Sequence, residues 1–181
     1  MAAEILLSSE AFIKSVTNIS DNLSGKYILP SLREAQEVSL KNIIGEALLE
    51  KLKSLVAAQT IESEENLMYK YLINKCQYYL AYMTIVELVN KVTYKIGNAG
   101  VVKATDENMT IASQAEVIAQ KEYYQGKADF YCYELQNYLL SHSADFPELD
   151  DCSCRKIHAT LHSAASCGIF LGGARGKRRQ L

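Results

Sequence analysis

The densest group of side chains able to bind a metal lies near the carboxyl end of the sequence. It consists of Cys152, Cys154, His158 and His162. The two histidines are four residues apart, so on a helix they would face the same side and could share a zinc ion. A Cys-x-Cys pair is tighter than the usual gap between zinc ligands, and cysteine is also a common core residue. We therefore favour packing for these side chains and predict no metal site.

The remaining reactive side chains have no catalytic motif around them. Cys132 and Cys167 lack the glycine-rich turn and the neighbouring histidine that would mark a nucleophile. Glu62, Glu64 and Glu65 fall at a predicted helix start, where carboxylates ordinarily stabilise the helix. The sequence contains no dinucleotide-binding, phosphate-loop or metalloprotease motif. We therefore predict that the protein is not an enzyme and uses no cofactor.

A basic tail ends the sequence. Arg175, Lys177, Arg178 and Arg179 could contact phosphates, but one copy without interleaved aromatic residues would bind weakly. Many copies brought together in a ring would add such contacts. The main alternative function is a helical nucleic-acid-binding or regulatory protein that uses this tail. That function would need a basic recognition helix, and neither of the two long helices predicted below has one.

Composition indicates one globular domain. The chain has 181 residues, 49% of them hydrophobic and 22% charged, and a formal net charge of −2. This charge gives no overall attraction to nucleic acid or to an anionic membrane. No apolar stretch approaches the roughly 20 residues that span a bilayer, and the amino terminus lacks a signal-peptide pattern. Five cysteines do not form an evenly paired disulfide framework, so we expect a soluble intracellular protein with reduced thiols.

Hydrophobic periodicity predicts a mainly α-helical fold. Residues 31–56 have helical spacing that Gly45 interrupts, so we predict two short helices, with Pro30 at the start of the first. Ser63 is predicted to cap the next helix. That helix, over residues 67–96, is apolar around much of its circumference and is expected to be central. Val101 and Val102 are predicted to form a short strand or an extended loop.

A second long helix is predicted to begin at a capping box, Ser113-Gln-Ala-Glu116. It runs to about Ser141, and Gly126 weakens it. An acidic loop at residues 145–151 and a short amphipathic segment at 156–165 follow. The residues predicted to form one stripe of this helix are Val117, Tyr124, Ala128, Tyr131, Leu135 and Tyr138.

The segment Gly168-Ile-Phe-Leu-Gly-Gly173 is apolar and precedes the basic tail. Such a run cannot bury itself alone, so it is either an arm that packs on another surface or a terminal strand on its own core. We therefore divide the chain into a helical domain at residues 1–167 and an extended C-terminal arm at 168–181. The predicted fold is a small helical bundle with two long helices, short helices near the amino terminus and this arm.

Tyrosine is unusually frequent for an aromatic residue in this chain, which has twelve Tyr, four Phe and no Trp. Tyrosine combines an apolar ring with a polar tip, so it suits half-buried surfaces between helices or subunits. The composition therefore indicates interfaces.

The order of several segments resembles head–tail connector adaptor proteins of tailed bacteriophages. The likeness is closest to versions in phages and prophages of Bacteroides-type hosts. It rests on residues 27–37 and 40–52, on a long tyrosine-rich helix, and on the later segments in the same order. Those segments are Asn98-Ala-Gly-Val-Val102, Asn108, Ser113–Glu116 and Gly168–Gly173.

The resemblance implies a structural virion protein at the head–tail junction, made in the host cytoplasm. Such proteins form a ring, commonly of about twelve copies, under the portal protein. DNA passes through the channel without sequence-specific binding, the next neck or tail protein docks below, and no membrane is involved. The resemblance assigns contact with the portal or a neighbouring subunit to Ile169, Phe170, Leu171, Arg175, Lys177, Arg178 and Arg179.

Overall fold

The computed structural model describes residues 4–97, 100–103 and 113–149. Its mainly helical fold confirms the predicted class. The helices are α1 (Glu10–Val16), α2 (Gly25–Glu34), α3 (Lys41–Ile44), α4 (Glu46–Ala57), α5 (Leu67–Thr93) and α6 (Gln114–Ser141). A π-helical segment (Ala35–Leu40) joins α2 to α3, and the strands β1 (Tyr94–Gly97) and β2 (Gly100–Lys103) form an antiparallel hairpin. Single 3₁₀ turns lie at Glu64–Asn66, Ser143–Asp145 and Pro147–Leu149.

Helix α5 is the centre of the bundle, as its two-sided apolar character predicted. It packs along α6 on one side and against α2, the π-helical segment and α1 on others. Leu72, Cys76 and Leu80 are fully buried along it. At about 1.5 Å per residue, α5 is roughly 40 Å long, close to the length of α6, which has 28 residues against the 27 of α5.

The break at Gly45 is confirmed. Its backbone has φ 85° and ψ 162°, a conformation that favours glycine. Helix α3 ends at Ile44 and α4 begins at Glu46. The turn lets both helices place fully buried side chains, Ile44 and Leu48, in one core.

Two predicted boundaries were wrong. Helix α2 begins at Gly25, so Pro30 lies inside it rather than at its start. Burial of Ile28 and Leu32 favours the extra upstream turn over the one backbone hydrogen bond that proline removes. Helix α5 ends at Thr93 and not at 96, because Tyr94–Gly97 pairs with the strand predicted around Val101 and Val102.

The amino-terminal segment is held by two glutamines. Leu7 donates its backbone N–H to Oε1 of Gln36 at 2.8 Å, and Gln36 donates from Nε2 to the carbonyl of Ile5 at 3.0 Å. Gln77 donates to the carbonyl of Leu7 at 2.9 Å. These bonds attach an extended segment to the π-helical segment and to α5, and so extend the bundle beyond the helices that the sequence predicted.

Candidate interaction surface

The contact between α5 and α6 contains a stack of tyrosines. Tyr131 of α6 lies nearly parallel to Tyr78 and Tyr82 of α5, with ring centroids 5.4 and 5.3 Å away. Phe12 of α1 meets Tyr78 edge-on at 5.4 Å, and the Tyr82 hydroxyl donates to the carbonyl of Val16 at 3.3 Å. The stack therefore joins three helices, and offset or edge-on ring pairs of this kind contribute about 0.5–1.5 kcal/mol each beyond their burial.

Two phenols in and beside the stack have a raised pKa. Burial raises the pKa of Tyr82, and the neighbouring tyrosines raise it further. Burial likewise raises the pKa of Tyr124 at the side of the stack. The hydroxyls of Tyr82 and Tyr124 are therefore protonated at neutral pH and add no charge to this surface.

The outward side of α6 carries a second, exposed row of aromatic residues. Tyr123, Phe130 and Tyr133 are 58%, 57% and 56% exposed. Together with Gly126 they recur at intervals of three, four and three residues, so they lie along one stripe of the helix. We call these four residues the outer stripe. Rings of this size leave a large apolar surface in water, which is a common mark of an interaction site.

Gly126 lies within the outer stripe and is exposed. A Cβ added at Gly126 would meet nothing within 4 Å, so packing within the described chain does not require glycine there. Glycine in a helix costs about 0.5–1 kcal/mol relative to alanine. The missing side chain leaves a notch between the aromatic rings, and a notch of this kind admits close approach of another chain.

Two shallow clefts lie beside the outer stripe. One, of about 240 Å³, is bordered by Asn74, Lys75 and Glu134 together with aromatic rings. The other, of about 390 Å³, lies between the end of α1 and α6, where Tyr82, Tyr123 and Tyr124 border it. Both combine ring faces with hydrogen-bonding groups, as surfaces that bind other proteins do.

Residues 40–159 match a family described as a family of unknown function (DUF6712). The chain belongs to this family. The match includes α3 to α6, and therefore the outer stripe and the tyrosines of α5. No curated protein and no solved structure matches the chain. The DUF6712 match ends before the predicted arm and the basic tail.

A second aromatic cluster in this DUF6712 chain has an internal role. The Tyr69 ring meets Phe146 edge-on at 5.4 Å, and its hydroxyl donates to the Glu148 carboxylate at 3.0 Å. Tyr138 stacks on His142 with centroids 4.3 Å apart. Phe146 is fully buried, so this cluster attaches the two 3₁₀ turns after α6 to the bundle.

The described thiols are not activated. Burial raises the pKa of Cys76 to about 12, and burial with the nearby Asp129 raises the pKa of the half-buried Cys132. Within residues 4–97, 100–103 and 113–149, no three His, Cys, Asp or Glu side chains are grouped to hold a metal. In that part of the chain no helix has the length and apolarity needed to cross a membrane.

Most of the side chains selected from the sequence are not among the described residues. Glu62, Glu64 and Glu65 are exposed near the start of α5, and Glu62 pairs with Lys70. The residues outside the described ranges are Cys152, Cys154, His158, His162, Cys167, Ile169, Phe170, Leu171, Arg175, Lys177, Arg178 and Arg179.

Sequence reasoning found the inner side of α6 and missed its outer stripe. Ala128 and Leu135, both in the predicted stripe, are fully buried. The 3-4-3 spacing of Tyr, Gly, Phe and Tyr is visible in the sequence, but this spacing alone does not show which side of the helix faces the core. Large rings on both sides of one helix indicate one face for the core and another for a partner.

Proposed function

We propose that the protein is a structural virion component, a head-to-tail connector adaptor. It forms a ring under the portal protein, DNA passes through the channel, and the next neck or tail component docks on the ring. The observation that carries this proposal is the outer stripe, an exposed aromatic row on a central helix pair with a glycine notch within it.

The outer stripe supports a ring through its position. It occupies one side of α6, while the opposite side of that helix is committed to α5 through Ala128, Leu135 and Leu139. A subunit that uses one patch to contact a different patch on its neighbour forms a ring when the rotation closes. Aromatic residues are enriched at such interfaces, where they bury much area with few rotatable bonds.

The kind of ring comes from the resemblance to phage adaptors. Part of that resemblance, residues 40–52, extends from the last residue of the π-helical segment through α3 into α4 and lies within the family match at 40–159. Part of it, residues 168–173, lies outside the match and outside the described residues. The resemblance supplies a copy number of about twelve, a location in the neck of the virion and the portal as partner.

The test is the mass of the full chain, alone and with the portal protein from the same genome, by light scattering after size exclusion. We expect a closed ring of about twelve copies that elutes together with the portal protein. A chain that stays monomeric and ignores the portal would overturn the proposal. Salt-sensitive binding of that monomer to DNA would then favour the nucleic-acid-binding alternative.

A further inference from the structure

An apolar groove lies at the end of the bundle opposite the second aromatic cluster. It has a volume of about 590 Å³, between the end of α5, the start of α6 and the loop after α1. Leu88 and Val92 of α5, Val117 and Ala119 of α6, and Leu23 of the loop line it. Val92 is 40% exposed. A groove of this volume is large enough for a few apolar side chains.

The sequence of the same chain contains a short apolar segment that suits an apolar groove. Ile169, Phe170 and Leu171 are consecutive apolar residues between Gly168 and the pair Gly172-Gly173. Burial of three such side chains removes a large apolar area from water, which is favourable. Glycine on both sides permits the sharp backbone turns that entry into a groove needs.

The part of the chain between the last described residue and the apolar run is long enough to reach this groove. The described part ends at Leu149, beside Tyr69 at the start of α5, whereas the groove lies at Leu88 near its end. From Tyr69 to Leu88 the helix rises roughly 30 Å at 1.5 Å per residue. The chain from Leu149 to Ile169 spans up to ~66 Å when extended. The chain is therefore long enough to bring this segment to the groove of its own subunit at about half of its full extension.

Charge at the groove matches the residues that follow the apolar run. Glu116 lines the groove, and Asp21 is exposed in the loop that supplies Leu23. Hydrogen bonds from the Ser113 side chain and backbone lower the pKa of Glu116, so its carboxylate is charged at neutral pH. Arg175 and Lys177 follow the apolar run by a few residues, within reach of these acids when Phe170 is in the groove.

We propose that the apolar run 169–171 occupies this groove on its own subunit, with the basic tail beside Glu116. A segment tethered to its site has an effective concentration in the millimolar range, far above that of a second copy in dilute solution. The proposal concerns the isolated subunit and goes beyond the ring function. The segment is the one to which the phage resemblance assigns portal contact, so assembly would exchange one apolar partner for another.

The absence of tryptophan from the sequence allows a direct test. Phe170→Trp in the full chain gives a single tryptophan whose emission reports its surroundings. We expect emission shifted to the blue of free tryptophan and severalfold weaker quenching by acrylamide. Emission and quenching equal to those of free tryptophan would overturn the proposal.

Neighbouring positions in the first turns of α6 provide a matched pair of second substitutions. Val117 lines the groove, whereas Ile118 is 48% exposed and does not line it. An aspartate at either position adds the same charge near the helix N-terminus, where it is favourable, so both variants are expected to fold. Val117→Asp should restore solvent-like emission of Trp at 170, and Ile118→Asp should leave the blue shift intact. An equal response to the two substitutions would overturn the assignment of the groove.

Two further measurements distinguish the apolar run of the same subunit from other occupants of the groove. Phe170→Trp chains co-expressed with an excess of Val117→Asp chains keep their blue shift if the segment binds its own subunit. They lose it if the segment binds a second copy, and that outcome would overturn the proposal.

The residues 104–112 before α6 are another segment with apolar side chains, so Met109→Trp is measured in parallel. A response of Met109→Trp to Val117→Asp, without one from Phe170→Trp, would assign the groove to that segment and overturn the proposal. None of these readouts uses the portal, so failure here is distinct from failure of the ring function.

Discussion

The Tyr69 hydroxyl donates to the Glu148 carboxylate at 3.0 Å, and this contact joins residues 79 positions apart in the sequence. Burial raises the pKa of Tyr69 to about 12, and the hydrogen bond with Glu148 and its negative charge contribute to the shift. The phenol is ionised more easily in the unfolded chain, where its pKa is about 10. The folded state therefore holds this proton more tightly than the unfolded state does.

The first prediction concerns the response of this residue to alkali. Because the pKa of Tyr69 is raised on folding, its contribution to stability is complete below pH ~10 and is lost as pH rises towards ~12. Tyr69→Phe should lower the free energy of unfolding by about 1 kcal/mol at pH 7, through the lost hydrogen bond. It should also make the free energy of unfolding, measured in urea, depend less on pH between ~9 and ~11, the range around the pKa of free tyrosine at about 10. Tyr71→Phe, at a position 57% exposed, is the control. An equal pH dependence in the two variants would contradict the assignment.

Some single-residue roles were readable from the sequence because both partners are local. The Ser113 hydroxyl accepts from the Glu116 backbone N–H at 3.3 Å, and the Glu116 carboxylate accepts from the Ser113 N–H at 2.7 Å, as the capping box predicted. Ser63 is the N-cap residue of the 3₁₀ turn that leads into α5, as predicted, but its hydroxyl does not cap that turn and donates instead to the carbonyl of Thr60 at 2.8 Å. Gln36 was not predicted at all, since its partner Leu7 is 29 positions away.

At the scale of elements, alanine substitutions of two glycines are expected to change the stability of the subunit in opposite directions. Gly45 has φ 85° between α3 and α4, so Gly45→Ala should cost about 1–3 kcal/mol through backbone strain. Gly126 lies in α6 with open space around it, so Gly126→Ala should stabilise the subunit by about 0.5–1 kcal/mol. Urea unfolding of both variants checks the pair. Two changes of the same sign would show that one backbone conformation has been misassigned.

The helices were predictable to the extent that their periodicity is local. Helix α6 begins at its capping box and ends at Ser141 as predicted. Apolar residues around much of the circumference of α5 indicated its central position. Helix α1 and the π-helical segment were missed. Both depend on contacts with distant segments, such as Tyr82 with Val16 and Gln36 with Ile5, and no local spacing shows such contacts.

For the whole molecule, removal of exposed rings from the outer stripe is expected to weaken assembly much more than it weakens the fold of the subunit. The double variant Phe130→Ser with Tyr133→Ser removes two rings that are more than half exposed. The edge-on contact of Phe130 with Tyr131 at 5.3 Å is lost, which should cost about 0.5–1.5 kcal/mol. The melting temperature should therefore fall by only a few degrees, about 2–4 °C per kcal/mol in a chain of this size. Association with other subunits or with the portal should weaken at least tenfold, since buried aromatic anchors carry much of the energy of an interface.

The matched control for this variant is Tyr71→Ser, which removes an equally exposed ring from α5 outside the outer stripe. Light scattering with the portal should show a ring for the control and free subunits for the double variant. Loss of assembly in both, or in neither, would place the interface elsewhere on the molecule.

The fold as a whole was more predictable than the interaction surface. Burial makes apolar residues recur with the helical period, and this is why the positions of Leu72, Leu80 and Leu135 could be recognised as core. An interface on a helix has the same period, so the outer stripe is distinguished from a core only once the helices are packed. The predicted contacts of the arm depend on another surface, which the period of one segment does not reveal.

The stack of Tyr131 over Tyr78 and Tyr82 gives the protein an optical signature. Near-ultraviolet circular dichroism of this chain arises from tyrosine and phenylalanine, because the sequence contains no tryptophan. Rings held about 5.3 Å apart and nearly parallel are fixed in a chiral environment only while α5 and α6 are packed. A state that keeps its helices but loses side-chain packing retains far-ultraviolet dichroism and loses this band. The band therefore distinguishes a folded subunit from a collapsed helical one before any assembly is attempted.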